Sequence, residues 1–148
     1  MDADPARGFA GAAGVIRFEC ADASALADHG PFDVTLLLEV LHDLARPGEV
    51  LRGIRKALAH DGAVLVADEA VAPAFTAPGD DLERMMYGWS ITHCLPTQMA
   101  EQPTAATGTV IREATVRELA TAAGFGRVDV LDVDASTPSP PTGTSWST

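Results

Sequence analysis

Residues 33–38 (DVTLLL) and 63–67 (AVLVA) are short, nearly continuous apolar runs. Runs of this length suit strands covered on both faces, as in the interior of a parallel sheet with helices above and below. Between them Val50, Leu51, Ile54, Ala57 and Leu58 recur at helical spacing and form one apolar stripe. Pro47 falls in the first turn of that helix, where its missing N–H costs nothing. Arg52, Arg55 and Lys56 lie off the stripe, and the latter two suit the negative end of the helix dipole. Gly62 reads as the stop that follows. Strand, helix and strand make a βαβ unit with a right-handed crossover, which argues for an α/β fold.

The flanking pattern is weaker. Residues 15–20 (VIRFEC) alternate loosely and suit a short strand, followed by a turn and short helix that end at Gly30-Pro31. Residues 72–79 read as a loop. Asp80 or Asp81 then caps a helix through LERMMYGWSITH that runs to Pro96. Residues 97–110 read as a long polar loop. Thr115 is expected to cap VRELATAAG, with Glu118 at the capping-box position and Gly124 as the stop. Residues 127–133 (RVDVLDV) alternate cleanly and predict an outer or edge strand. The last stretch, rich in Pro, Ser and Thr, predicts disorder.

Composition narrows the partners more than the fold. The chain has 148 residues, 47% of them hydrophobic, which suits one domain with a real core. Only 5% are aromatic, so Val, Leu, Ala and Ile must fill that core. A net charge of −11 disfavours nucleic acid and anionic membrane surfaces. No apolar run approaches a membrane span, and the acidic start MDADPARG is not a secretory signal. A cytoplasmic protein is expected, with Cys20 and Cys94 as free thiols. Asp68 and Glu69 are adjacent on a strand and point to opposite faces, so no metal site is expected there or elsewhere.

The segments ECADASAL (19–26), LLLEVLHDL (36–44), the helix at 47–59, HDGAVLVADE (60–69) and the helix–strand pair at 115–133 come in a telling order. Together they resemble the second half of a class I S-adenosylmethionine (SAM)-dependent methyltransferase. MMYGWSITHCLP, followed by ATGTVIRE and AAGF, is similar to the small-molecule, O-methyltransferase-like branch. The resemblance spans residues 15–133. It implies a partial Rossmann-like sheet, mostly parallel and flanked by helices, with 15–20, 33–38, 63–68 and 127–133 as its third to sixth strands. The first strands and their Gly-rich loop have no counterpart, so the resemblance implies a truncated domain. The expected organisation is a flexible remnant over 1–14, a partial methyltransferase domain over 15–134 and a disordered tail over 135–148.

SAM is the implied cofactor, and a small-molecule hydroxyl, amine or carbon acceptor the implied partner. Asp22 resembles the acid that meets the adenine amino group, and Ala23 would lend its backbone N–H. Glu39 lies at a strand's carboxyl end, with Val40 and His42 following toward the sulfonium end. Asp2 echoes the acid that holds the ribose hydroxyls. His93 is the candidate general base for a poorly acidic hydroxyl.

Each residue has a plainer alternative. Asp22 reads equally as a helix N-cap, Glu39 as a solvated strand end, His42 as a partner of Asp43, and His93 as surface. A non-catalytic remnant or interaction module, pairing through an open strand edge into a homodimer, is the alternative for the whole chain.

Overall fold

The structure is a computed structural model that describes residues 18–131. Its centre is the expected unit: β1 (Phe32–Leu38), α1 (Pro47–Ala57) and β2 (Leu58–Ala67), with the two strands parallel and adjacent. α1 begins at Pro47 and buries Val50, Leu51, Ile54 and Ala57 against the sheet. Leu37, Leu41, Leu58 and Ile111 complete the core, with Val64 and Val66 packed against it.

β2 departs from expectation at its start. The helix ends at Ala57 without a glycine, and the strand follows at once. Phe32 pairs with Leu58, yet Val34 pairs with Ala63, so residues 59–62 bulge out of register. Gly62 belongs to this bulge and is not a helix stop. A Cβ there would lie 2.8 Å from the Phe32 carbonyl oxygen, so only glycine lets the bulge close.

One face of the sheet meets α1; among the described residues the other does not have the expected cover. Val34, Leu36 and Leu38 pair with Ala63, Leu65 and Ala67 and are 60%, 55% and 56% exposed among the described residues. An apolar run therefore marks the strands correctly, and among the described residues only one of their faces is covered.

Two further strands were expected. Residues 18–20 and 127–131 do not pair as strands, and 15–17 and 132–133 lie outside the described residues. Among the described residues the alternation at 127–131 has no strand partner: the Val128 carbonyl accepts from Arg117 Nη1 at 2.6 Å, and Arg127 pairs with Asp129. The proposed remnant at 1–14 and tail at 135–148 also lie outside the described residues.

The middle helix starts at Asp80, whose carboxylate accepts from the Glu83 N–H at 2.7 Å. It runs through α2 (Asp81–Trp89), a π-helical turn (Ser90–Cys94) and α3 (Leu95–Met99), and so passes Pro96 instead of stopping there. The π turn resets the hydrogen-bond ladder, and Pro96 falls in the first turn of a new α segment, where its missing donor is harmless. α4 (Glu113–Ala122) starts two residues before Thr115. Its N-cap is Arg112, extended and without a side-chain cap, since a guanidinium has no acceptor for the helix N–H groups; it donates instead to Glu83, Tyr87 and the Ala72 carbonyl. Gly124 does end the helix, at φ +96°.

Candidate active site at the carboxyl edge of the sheet

Because β1 and β2 run parallel, their carboxyl ends meet at one edge. Leu38 pairs with Ala67, and Glu39 N–H extends the ladder to the Ala67 carbonyl at 2.8 Å. The segments that leave that edge are Glu39–Val40 into a single 3-10 turn, Leu41–Asp43, and Asp68–Glu69 into the following loop. Open α/β sheets place ligands at such an edge. Glu39 turns the chain sharply, at φ +52°, in the left-handed region that non-glycine residues rarely occupy. Strain of that kind concentrates at functional sites.

His42 and Asp68 form the centre of the edge. His42 Nδ1 lies 2.5 Å from Asp68 Oδ1, and the His42 backbone N–H donates to Asp68 Oδ2 at 3.3 Å. Both side chains are buried. One carboxylate thus fixes the backbone and the ring of the same histidine. Nε2 is turned toward Asp43 Oδ1, 3.4 Å away, and Asp43 is much more exposed than its neighbour. The expected His42–Asp43 contact is present, but it is the longer of two.

Charge accumulates here. The Glu39 carboxyl is raised above its ordinary range, first by partial desolvation and then by Glu69 and Asp68, with His42 opposing. A raised carboxyl favours the folded state at acid pH, and that contribution is lost as pH rises through its folded pKa. Cys94, on the π turn, is buried, and burial pushes its thiol up despite the neighbouring Thr109 hydroxyl. Cys20 is exposed. Iodoacetamide should therefore label Cys20 in the native protein and spare Cys94 until denaturant is added. Equal labelling rates would contradict the packing of the π turn.

Asp22 and Ala23 reach the same side of the molecule. They line a cleft of about 150 Å³ together with Asp43, Leu44, Ala45 and Arg46. Arg46 Nη2 stands 3.4 Å from Asp22 Oδ2, and its Nη1 stands 3.6 Å from Glu49. The structure thus brings Asp22 and Ala23 to the residues that follow His42. Val40 packs half-buried against the core. His93 is exposed on the π turn, its carbonyl accepting from Thr97 Oγ1 at 2.8 Å, and it lines neither the cleft nor the His42 cluster. Asp2 lies outside the described residues.

The sequence reading did not pair Asp68 with His42, and it treated Gln98 as loop. The first signal was available in part: parallel register sets Asp68 level with Glu39, next to the turn that carries His42. The second was not, because Gln98 acts through contacts far apart in sequence.

Residues 3–66 match the family described as a methyltransferase domain. The match covers β1, α1 and nearly all of β2. Comparison with curated proteins gives no match. No helix among the described residues is long and apolar enough to cross a membrane. The parallel βαβ unit, its acidic carboxyl edge and the family match agree: over residues 3–66 the chain is similar to a methyltransferase domain.

Proposed function

We propose that the chain holds SAM along the carboxyl edge of β1 and β2 and passes its methyl group to a small-molecule acceptor. The observation that carries this reading is the buried Asp68–His42 pair at the shared strand ends, beside the cleft that Asp22 and Ala23 line. The donor set fits the cofactor. Asp22 offers the acceptor that an adenine amino group needs, and Ala23 an N–H for the ring. Glu39, Val40 and His42 would meet the sulfonium end, where the acidic edge suits positive charge. The cleft is below the roughly 300–1,000 Å³ of ordinary ligand sites, so it accounts for only one end of the cofactor.

Bound SAM supplies an electrophilic methyl carbon. The chain's own part is to position the acceptor and, for a hydroxyl, to take its proton. Of the two candidate histidines, His42 is the better supported base. Asp68 accepts from Nδ1–H and so leaves Nε2 as the acceptor. A hydroxyl would reach Nε2 by displacing the half-buried Asp43 carboxylate, whose Oδ1 stands 3.4 Å away.

A second reading, an interaction module, draws on one observation: the exposed apolar face of Val34, Leu36, Leu38 and Leu65. Calorimetric titration of SAM into the chain separates the two. Methyl transfer requires saturable binding, weakened about tenfold in Asp22→Ala by loss of a hydrogen bond. A folded chain that gives no heat up to millimolar SAM would leave the module reading.

A further inference from the structure

We propose that Gln98 is a positioning residue for His42, because its buried amide ties the carbonyls of the His42 turn to the loop that follows α3. The consequence for catalysis rests on the reading of His42 as base; the contacts themselves do not.

The turn that carries His42 is only three residues long, and its N-cap, Val40, gives no side-chain bond. Its own ladder is sparse: Asp43 N–H reaches the Val40 carbonyl at 3.1 Å, and Leu44 N–H reaches Leu41 at 3.4 Å. A turn this short does not hold a side chain in one place by itself. Support comes from outside, on two sides. Asp68 grips the ring and the backbone N–H. Gln98 grips the carbonyls.

Gln98 is 1% exposed, near the end of α3. Its Nε2 donates to the His42 carbonyl, stands 3.3 Å from the Leu44 carbonyl and lies 3.0 Å from Thr107 Oγ1. Its Oε1 accepts from the Gly108 N–H at 3.0 Å. An amide has two N–H donors and one carbonyl oxygen, so every group on Gln98 is in use. A second strut runs parallel to it: Ala105 N–H donates to the Ala45 carbonyl at 2.7 Å. The segment from 95 to 108 is therefore stitched onto the turn from 42 to 45. A buried amide this fully engaged specifies one arrangement of its neighbours, and here the neighbour is the candidate base.

The test uses the ligand-free chain, labelled with 15N-histidine, so it does not depend on SAM binding. Of the four histidines only His42 is buried. Its Nδ1–H, held by Asp68, should appear as a slowly exchanging downfield proton. Gln98→Met keeps the volume and removes the bonds. It should speed exchange of that proton about tenfold, while α1 amides remain protected. A purely structural role would lower protection throughout and leave no excess at the His42 ring. Unchanged His42 exchange in a folded Gln98→Met chain overturns the proposal. If that variant does not fold, Thr107→Val removes a single partner of Nε2. A smaller acceleration at the same proton supports the proposal, and an unchanged rate overturns it. Failure of SAM to bind would overturn the methyltransferase reading and leave this test intact.

Discussion

Replacing Arg112 with methionine should destabilise the fold by about 3–5 kcal/mol, the range seen when one partner of a buried ion pair is removed. The two side chains are 15% and 4% exposed, and Arg112 Nη2 donates to Glu83 Oε1. The guanidinium also reaches Tyr87 Oη at 3.2 Å and the Ala72 carbonyl. Its charge is held firmly: the hydrogen bond it donates to Glu83 leads the effects that raise its pKa. Truncation leaves the Glu83 carboxylate buried and uncompensated, and Glu83 Oε2 already lacks a partner. The cost is therefore desolvation of a stranded charge more than loss of an attractive contact. That distinction can be measured by urea denaturation. Glu83→Met combined with Arg112→Met should recover much of the loss, since neither charge is then left alone. A double variant as unstable as the sum of the singles would show that packing, not charge, decides the site. The pair also matters for the fold's layout, because it locks the start of α4 to α2 and to the loop at residue 72.

Ile54→Ala should cost about 2–5 kcal/mol by the same measurement. Ile54 is 1% exposed at the centre of the α1 stripe, where it packs with Leu37, Leu51, Leu58 and Ile111. The lost methyl groups leave a cavity between helix and sheet that neither element can close without disturbing the β1–β2 register. Small domains have about 5–15 kcal/mol in total, so the change is a large fraction of it. Leu36→Ala is the internal control. Leu36 has similar hydrophobicity and stands on the same unit, but on the exposed face of β1, so its removal should fall within about 0.5 kcal/mol. Equal effects at the two positions would mean that the exposed face is covered in solution.

What the sequence disclosed follows the range of the interactions. β1, α1 and β2 were legible because each is a local pattern: apolar runs for strands, a 3.6-residue stripe for the helix, Pro47 at its start. The Asp80 cap and the Gly124 stop were legible for the same reason. The failures are long-range. The alternation of 127–131 is a good strand pattern, but a strand exists only where a neighbour accepts it, and the Val128 carbonyl is taken by Arg117. Thr115 has the chemistry of a cap, but Arg112, anchored 29 residues away at Glu83, sets where α4 begins. Gly62 looked like a stop because the four-residue bulge of β2 cannot be seen without its partner strand.

The candidate site shows the same division. Asp22, Ala23, Glu39, Val40 and His42 were selected through the resemblance, and among them Asp22 and Ala23 line the cleft while Glu39, Val40 and His42 occupy the sheet's edge. The partner that gives His42 its chemistry, Asp68, is 26 residues away and is delivered by strand register. Gln98 is 56 residues from His42 and had no sequence signal beyond being a polar residue in a stretch read as loop.

The most direct test is a map of backbone amide shifts in the 15N-labelled chain as SAM is added. The proposed site predicts saturable shifts concentrated at residues 22–23, 39–46 and 68–69, with the exposed face of β1 and β2 silent. No shifts at millimolar SAM in a folded chain, or shifts confined to Val34, Leu36 and Leu65, would contradict a cofactor site at the carboxyl edge.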